Sequence, residues 1–164
     1  MLMDILILIT GGTLDKVHDT ATESLTFRKN RKSHMSELLK IGRSHLPRQE
    51  VILMKDSLNM TEADRELILK AILAAPEHHI VLTHGTGTME NTAQYLDGKI
   101  GNKTVVLTGA MRPFSLGKSD ACFNMGGAMV AAQTLTAGVY GVMNGRVFKA
   151  NALHKNTKRG RFDI

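Results

Sequence analysis

The feature that most constrains this chain is an alternation between two kinds of apolar pattern. Short continuous apolar runs at 5–9, 51–54, 80–82, 104–107 and 139–143 are separated by stretches of helical character at 33–41, 61–74, 88–96 and 121–135. Runs that short suit strands buried on both faces, whereas Leu67, Ile68, Ala71 and Ile72 line one stripe of a helix. Ser33, Thr61 and Thr88 stand where helix N-caps are expected. Strands alternating with helices build βαβ units and a mostly parallel sheet. The expected fold is therefore α/β, with one doubly wound, flavodoxin-like sheet in a single domain over 1–164. The length of 164 residues is enough for a core. Segments 15–32, 55–59, 112–119 and 144 onward are expected as loops. In open sheets of this kind ligands sit beyond the carboxyl ends of the strands. That places 11–15, Ser57, 83–88 and 110–120 on one rim.

Composition narrows the function classes. No apolar run approaches the ~20 residues that span a bilayer. The opening MLMDILILIT carries Asp4 and lacks a basic n-region, so it is expected as a first strand rather than a leader. The single Cys122 excludes an internal disulfide and suits a reducing cytoplasm. The formal charge is +6, concentrated at 28–32 and 155–161. Neither run is interleaved with aromatics, so both are expected as solvated segments, with no nucleic-acid or membrane partner.

The rim carries the chemistry-bearing residues. Thr10-Gly11-Gly12-Thr13 ends the first apolar run with two glycines and a hydroxyl, which suits a sharp turn with a capping threonine or an attacking one. Phosphate-loop patterns are absent: there is no GxGxxG, and Gly117-Lys118-Ser119 lacks the glycine five positions earlier, where Arg112 stands. Thr83-His84-Gly85-Thr86-Gly87-Thr88-Met89-Glu90 also follows an apolar run and opens a helix. His84, with His78 and His79, matches no metal-ligand spacing and is expected to be a satisfied histidine. Lys155 could activate a threonine hydroxyl if the fold brought the two together, or could be a surface lysine of a basic tail.

Together these stretches resemble the bacterial-type L-asparaginase family. The blocks carrying the resemblance are ITGGTLDK (9–16), KDSLNMT (55–61), THGTGTMENTA (83–93) and VVLTGAMRPFSLGKSDACFN (105–124), with a weaker GVMNGRVFKANALHKN (141–156). The resemblance implies a threonine-nucleophile amidohydrolase that turns asparagine into aspartate and ammonia, with glutamine a weaker substrate. It implies Thr13 as nucleophile, Thr86 as second catalytic threonine and Lys155 as its activating partner. Ser57 would bind the α-carboxylate, Gly12, Gly85 and Gly87 would line the substrate, and the backbone around Thr86 and Ala110 would face the oxyanion. No cofactor and no metal is implied. Most family members have a second domain that helps to close a neighbour's site, so this chain resembles a short form expected to work as a homo-oligomer.

Two departures from the family pattern stand out. Gly87 occupies a position where the family has an aspartate that pairs with the substrate's α-ammonium; Glu90 and Asp120 are the nearest acidic candidates in sequence to replace it. The segment after Thr13 has Leu25-Thr26-Phe27 where many members have a tyrosine, and Phe27 cannot relay a proton. The segment suits a mobile lid. The other readings are a catalytically inactive amino-acid-binding domain and an ammonia-donating amidotransferase subunit.

Overall fold

Every residue of Ile5–Gly11 is buried, which only a strand at the centre of a sheet can achieve with so continuous an apolar run. This strand, β1, starts the computed structural model, which describes residues 5–44 and 47–163. Met1 to Asp4 lie outside the described residues. A hairpin of β2 (Lys16–Asp19) and β3 (Ser24–Phe27) follows, then α1 (Met35–Ile41) and β4 (Arg48–Lys55). Next come α2 (Glu62–Ala74), β5 (His79–Thr83), α3 (Met89–Leu96), β6 (Thr104–Thr108) and α4 (Ala121–Thr134). The last elements are β7 (Gly138–Met143), β8 (Arg146–Lys149), β9 (Lys155–Asn156) and β10 (Arg161–Phe162).

The main sheet has six strands in the order β4-β1-β5-β6-β7-β8. The first five are parallel and β8 pairs antiparallel with β7. The parallel part has the flavodoxin-like order expected from the sequence, with the reversal of winding at β1. Alternate residues of β1 feed two cores: Leu6 and Leu8 pack with α2 and α3, while Ile5, Ile7 and Ile9 pack with α1 and α4. Thr61 caps α2 through a reciprocal box with Asp64, as expected. The Thr88 hydroxyl does not cap α3; it donates instead to the Ser57 carbonyl at 2.8 Å. Ahead of α1, the Ser33 hydroxyl accepts from Met35 N–H at 3.0 Å.

Two segments expected as loops contain strands. The β2–β3 hairpin lies inside 15–32, and β8, β9 and β10 lie beyond 144. The turn joining β7 to β8 is Asn144-Gly145, with φ of 55° and 74°. That left-handed pair is the two-residue hairpin turn that Asn-Gly favours, so the signal was present in the sequence.

Candidate active site

Four turns at the carboxyl ends of β1, β4, β5 and β6 meet because glycines in three of them, Gly12, Gly85 and Gly109, allow close approach. A Cβ on Gly12, where φ is +80°, would lie 2.4 Å from Gly85 N. A Cβ on Gly85 would lie 2.5 Å from Ser57 Oγ, and one on Gly109 would lie 2.4 Å from His84 O. No side chain fits in these gaps. Hydrogen bonds fasten the same turns: Gly12 N–H donates to Lys55 O at 3.1 Å and His84 N–H to Thr108 O at 2.9 Å. The strand-end Thr10 hydroxyl donates to Thr83 O at 2.7 Å, a structural role. Thr13, Ser57, Thr86 and Ala110 are thus presented by four adjacent turns on one rim.

The two threonines sit in different surroundings. Thr13 opens a 3₁₀ turn (Thr13–Asp15) and is half-buried; among the described residues its hydroxyl has no hydrogen-bond partner. Thr86 is only 7% exposed, and its Oγ1 accepts from Lys155 Nζ at 2.8 Å. Lys155 reaches it because β9 is held by β10, whose Phe162 is buried against Phe148. A short ladder therefore carries a residue of the basic terminal segment to the rim. Ser57 is buried; its Oγ accepts from Thr88 N–H at 3.3 Å, which leaves its own proton free to donate elsewhere.

His84 is buried beneath the Thr86 turn. Its Nε2 lies 2.8 Å from Thr92 Oγ1 and its Nδ1 2.7 Å from Gly85 O. Burial pulls its pKa down to about 4, opposed by the Gly85 hydrogen bond and aided by the charge of Arg65. This neutral, bonded histidine holds the turn, matching the satisfied histidine expected from the sequence.

Neither acidic candidate offers a free carboxylate. Asp120 accepts from Met111 N–H, Arg112 N–H and Asn124 Nδ2, and so organises the loop after β6. Glu90 Oε2 lies within hydrogen-bond distance of His154 Nδ1, at 2.9 Å. Sequence reasoning also missed a clamp at the base of the hairpin. Lys16 pairs with Asp56 at 2.5 Å and stands over the Phe27 ring, 5.9 Å from its centroid. Behind it Asp15 accepts from Ser33 Oγ at 2.8 Å and His34 N–H at 2.7 Å. Burial raises the Asp15 pKa against those bonds, and burial together with Arg28 lowers that of His34 against the pull of Asp15. Only the spacing of Asp15, Ser33 and His34 was visible in sequence, and spacing alone does not show a hairpin closing between them.

A doubly wound sheet with hydroxyls presented on glycine-cradled turns at the carboxyl ends of its strands defines an α/β protein with its candidate site on that rim. The profile of the family described as "Asparaginase, N-terminal" matches residues 4–162. This chain belongs to the asparaginase family. It is 36% identical over 102 residues to "Probable L-asparaginase 4" of Schizosaccharomyces pombe, a match over 57% of this chain and 29% of that protein. It is 29% identical over 167 residues to the glutaminase-asparaginase of Acinetobacter glutaminasificans, a match over 93% of this chain and 49% of that protein. Among solved structures it resembles the thermostable L-asparaginase from Thermococcus kodakarensis, with a TM-score of 0.80 and 26% identity. That likeness covers 98% of this chain and 51% of the solved one. The protein thus spans about half the length of these relatives, or less. No helix among the described residues is long and apolar enough to cross a membrane.

Proposed function

We propose that this protein hydrolyses the terminal carboxamide of asparagine through an ester on Thr13. The observation that supports it most is Lys155 Nζ donating to Thr86 Oγ1 at 2.8 Å, on a turn whose backbone touches the turn bearing Thr13. In this reading the Thr13 oxygen attacks the amide carbon and the carbon–nitrogen bond breaks. The nitrogen leaves as ammonia after taking up a proton. Water then cleaves the ester, restoring the Thr13 hydroxyl and leaving a carboxylate. The Lys155 ammonium favours negative charge on Thr86 Oγ1, so that pair manages the proton. Backbone N–H groups of the turns after β5 and β6, near Thr86 and Ala110, stabilise the oxyanion. The Ser57 hydroxyl donates to the α-carboxylate. None of these steps calls for a metal or an organic cofactor.

Gly87 leaves the α-ammonium of free asparagine without a partner carboxylate, a loss on the order of 2–5 kcal/mol for a buried pair. Turnover of free asparagine is therefore slow. The test is ammonia release from L-asparagine by this protein and by Gly87→Asp, with Thr13→Ala as the blank. Release above the blank, raised by Gly87→Asp, is the expected result. Release that Thr13→Ala leaves intact would overturn the assignment of the nucleophile.

A further inference from the structure

The missing side chain at Gly87 opens onto something specific. A cleft of about 570 Å³ has Gly87 and Lys155 in its wall, together with Leu58, Glu90, His154 and Lys158. Its wall thus includes both the lysine that holds Thr86 and the glycine one residue beyond Thr86. The space beside Gly87 is taken by an alkyl group: a Cβ at 87 would lie 2.7 Å from Leu58 Cδ2. The one carboxylate among the lining residues, Glu90, is already engaged by His154 at 2.9 Å. The same lining includes two lysines, Lys155 and Lys158, the first of which gives its ammonium to Thr86 Oγ1. An ammonium placed here would meet a leucine methyl and the Ser57 hydroxyl, with no unengaged carboxylate among the lining residues. A neutral amide with an acyl extension would bring no cation against the two lysines and would gain apolar contact with Leu58.

We infer that the site is built for an N-acylated asparagine, with a free α-carboxylate and an α-nitrogen tied up in an amide whose acyl group lies in this cleft. The inference rests on the amidohydrolase reading above. The reaction is unchanged: water adds across the carbon–nitrogen bond of the terminal carboxamide, ammonia leaves, and the product is the N-acylated aspartate. The acyl group takes no part in bond making. It replaces a cation that the wall cannot receive and fills volume that free asparagine leaves empty.

The experiment compares ammonia release from L-asparagine, N-acetyl-L-asparagine and N-succinyl-L-asparagine. Each is measured with this protein, Gly87→Asp and Leu58→Asp, with Thr13→Ala as the blank. Leu58 is 73% exposed, so its substitution keeps the comparison alive if Gly87→Asp does not fold. The expected result is a kcat/KM at least about tenfold higher for the acylated substrates than for free asparagine. The anionic succinyl compound should be the best of the three, and either added carboxylate should reverse the preference. Thr13-dependent release from free asparagine, with none from the acylated compounds, would overturn this inference and leave the amidohydrolase reading standing. A preference that neither carboxylate alters would also overturn it. No Thr13-dependent release from any of the three would overturn both.

Discussion

The turn after β1 and the turn after β5 look alike in sequence, each an apolar strand followed by glycine and threonine, yet the fold treats them differently. Thr13 keeps a hydroxyl with no partner among the described residues, on a half-buried turn that leads into the β2–β3 hairpin. Thr86 is nearly enclosed, bonded to Lys155 and underpinned by a buried neutral histidine. An attacking oxygen must be free to move onto carbon, whereas a group that handles a proton works best in a fixed network. In the proposed mechanism this difference divides two equivalent motifs between attack and proton management by what packs around them.

The largest expected effect breaks the comparison outright. Thr13→Ala should cost at least ~10³-fold in kcat/KM, about 4 kcal/mol, while leaving the thermal midpoint nearly unchanged. Lys155→Met should cost on the order of 10²–10³-fold. If it cost as much as Thr13→Ala, the division of roles would be wrong. Gly12→Ala attacks the contact between the turns. Its Cβ would meet Gly85 backbone at 2.4 Å from a left-handed φ of +80°, so denaturant titration should show a loss of about 3 kcal/mol.

The next prediction concerns the β5 turn alone. The pKa of His84 is about 4 in the folded protein against an ordinary 6.5. As pH falls below 6.5 the unfolded state takes up this proton before the folded one does. Stability is therefore full above pH 6.5 and falls by up to ~3 kcal/mol as pH drops towards 4. The difference between the stability–pH curves of the parent and His84→Gln should show this limb, with its steep part between pH 6.5 and 4. The smallest effect belongs to the β1 side. Lys16→Met removes the ion pair with Asp56 and the cation over Phe27, both partly solvated, for about 1 kcal/mol or less. Its clearer readout is faster hydrogen exchange in the β2–β3 hairpin.

The parallel sheet was legible because β1, β5 and β6 are buried on both faces and say so in nearly unbroken runs of apolar residues and threonine. The rim was legible too, since glycines at the ends of those strands mark close backbone approach. The β2–β3 hairpin was not legible. Lys16–Asp19 and Ser24–Phe27 are largely solvated, and their order comes from backbone pairing and from Asp15 and Ser33 at the base, neither of which leaves an apolar pattern. Lys155 was nameable only through resemblance, because its place depends on pairing with Arg161–Phe162 and on Phe162 finding Phe148. Glu90 and Asp120 were plausible by proximity in sequence, but hydrogen bonding, which sequence does not print, had committed both elsewhere.

The backbone contact between Gly12 and Gly85 has a consequence for errors in assembly. Ile9 pairs with Thr83, and the two glycines lie three and two residues beyond that pair. A slip of one residue between β1 and β5 would shift one turn by about 3.3 Å along the strand and send its side chains to the opposite face. Because the glycines leave no slack, such a slip would separate the two hydroxyls rather than bend the gap between them. Under the proposed mechanism the site is a gauge of register: a misaligned sheet would be silent, and turnover would report only from molecules that had aligned their strands correctly.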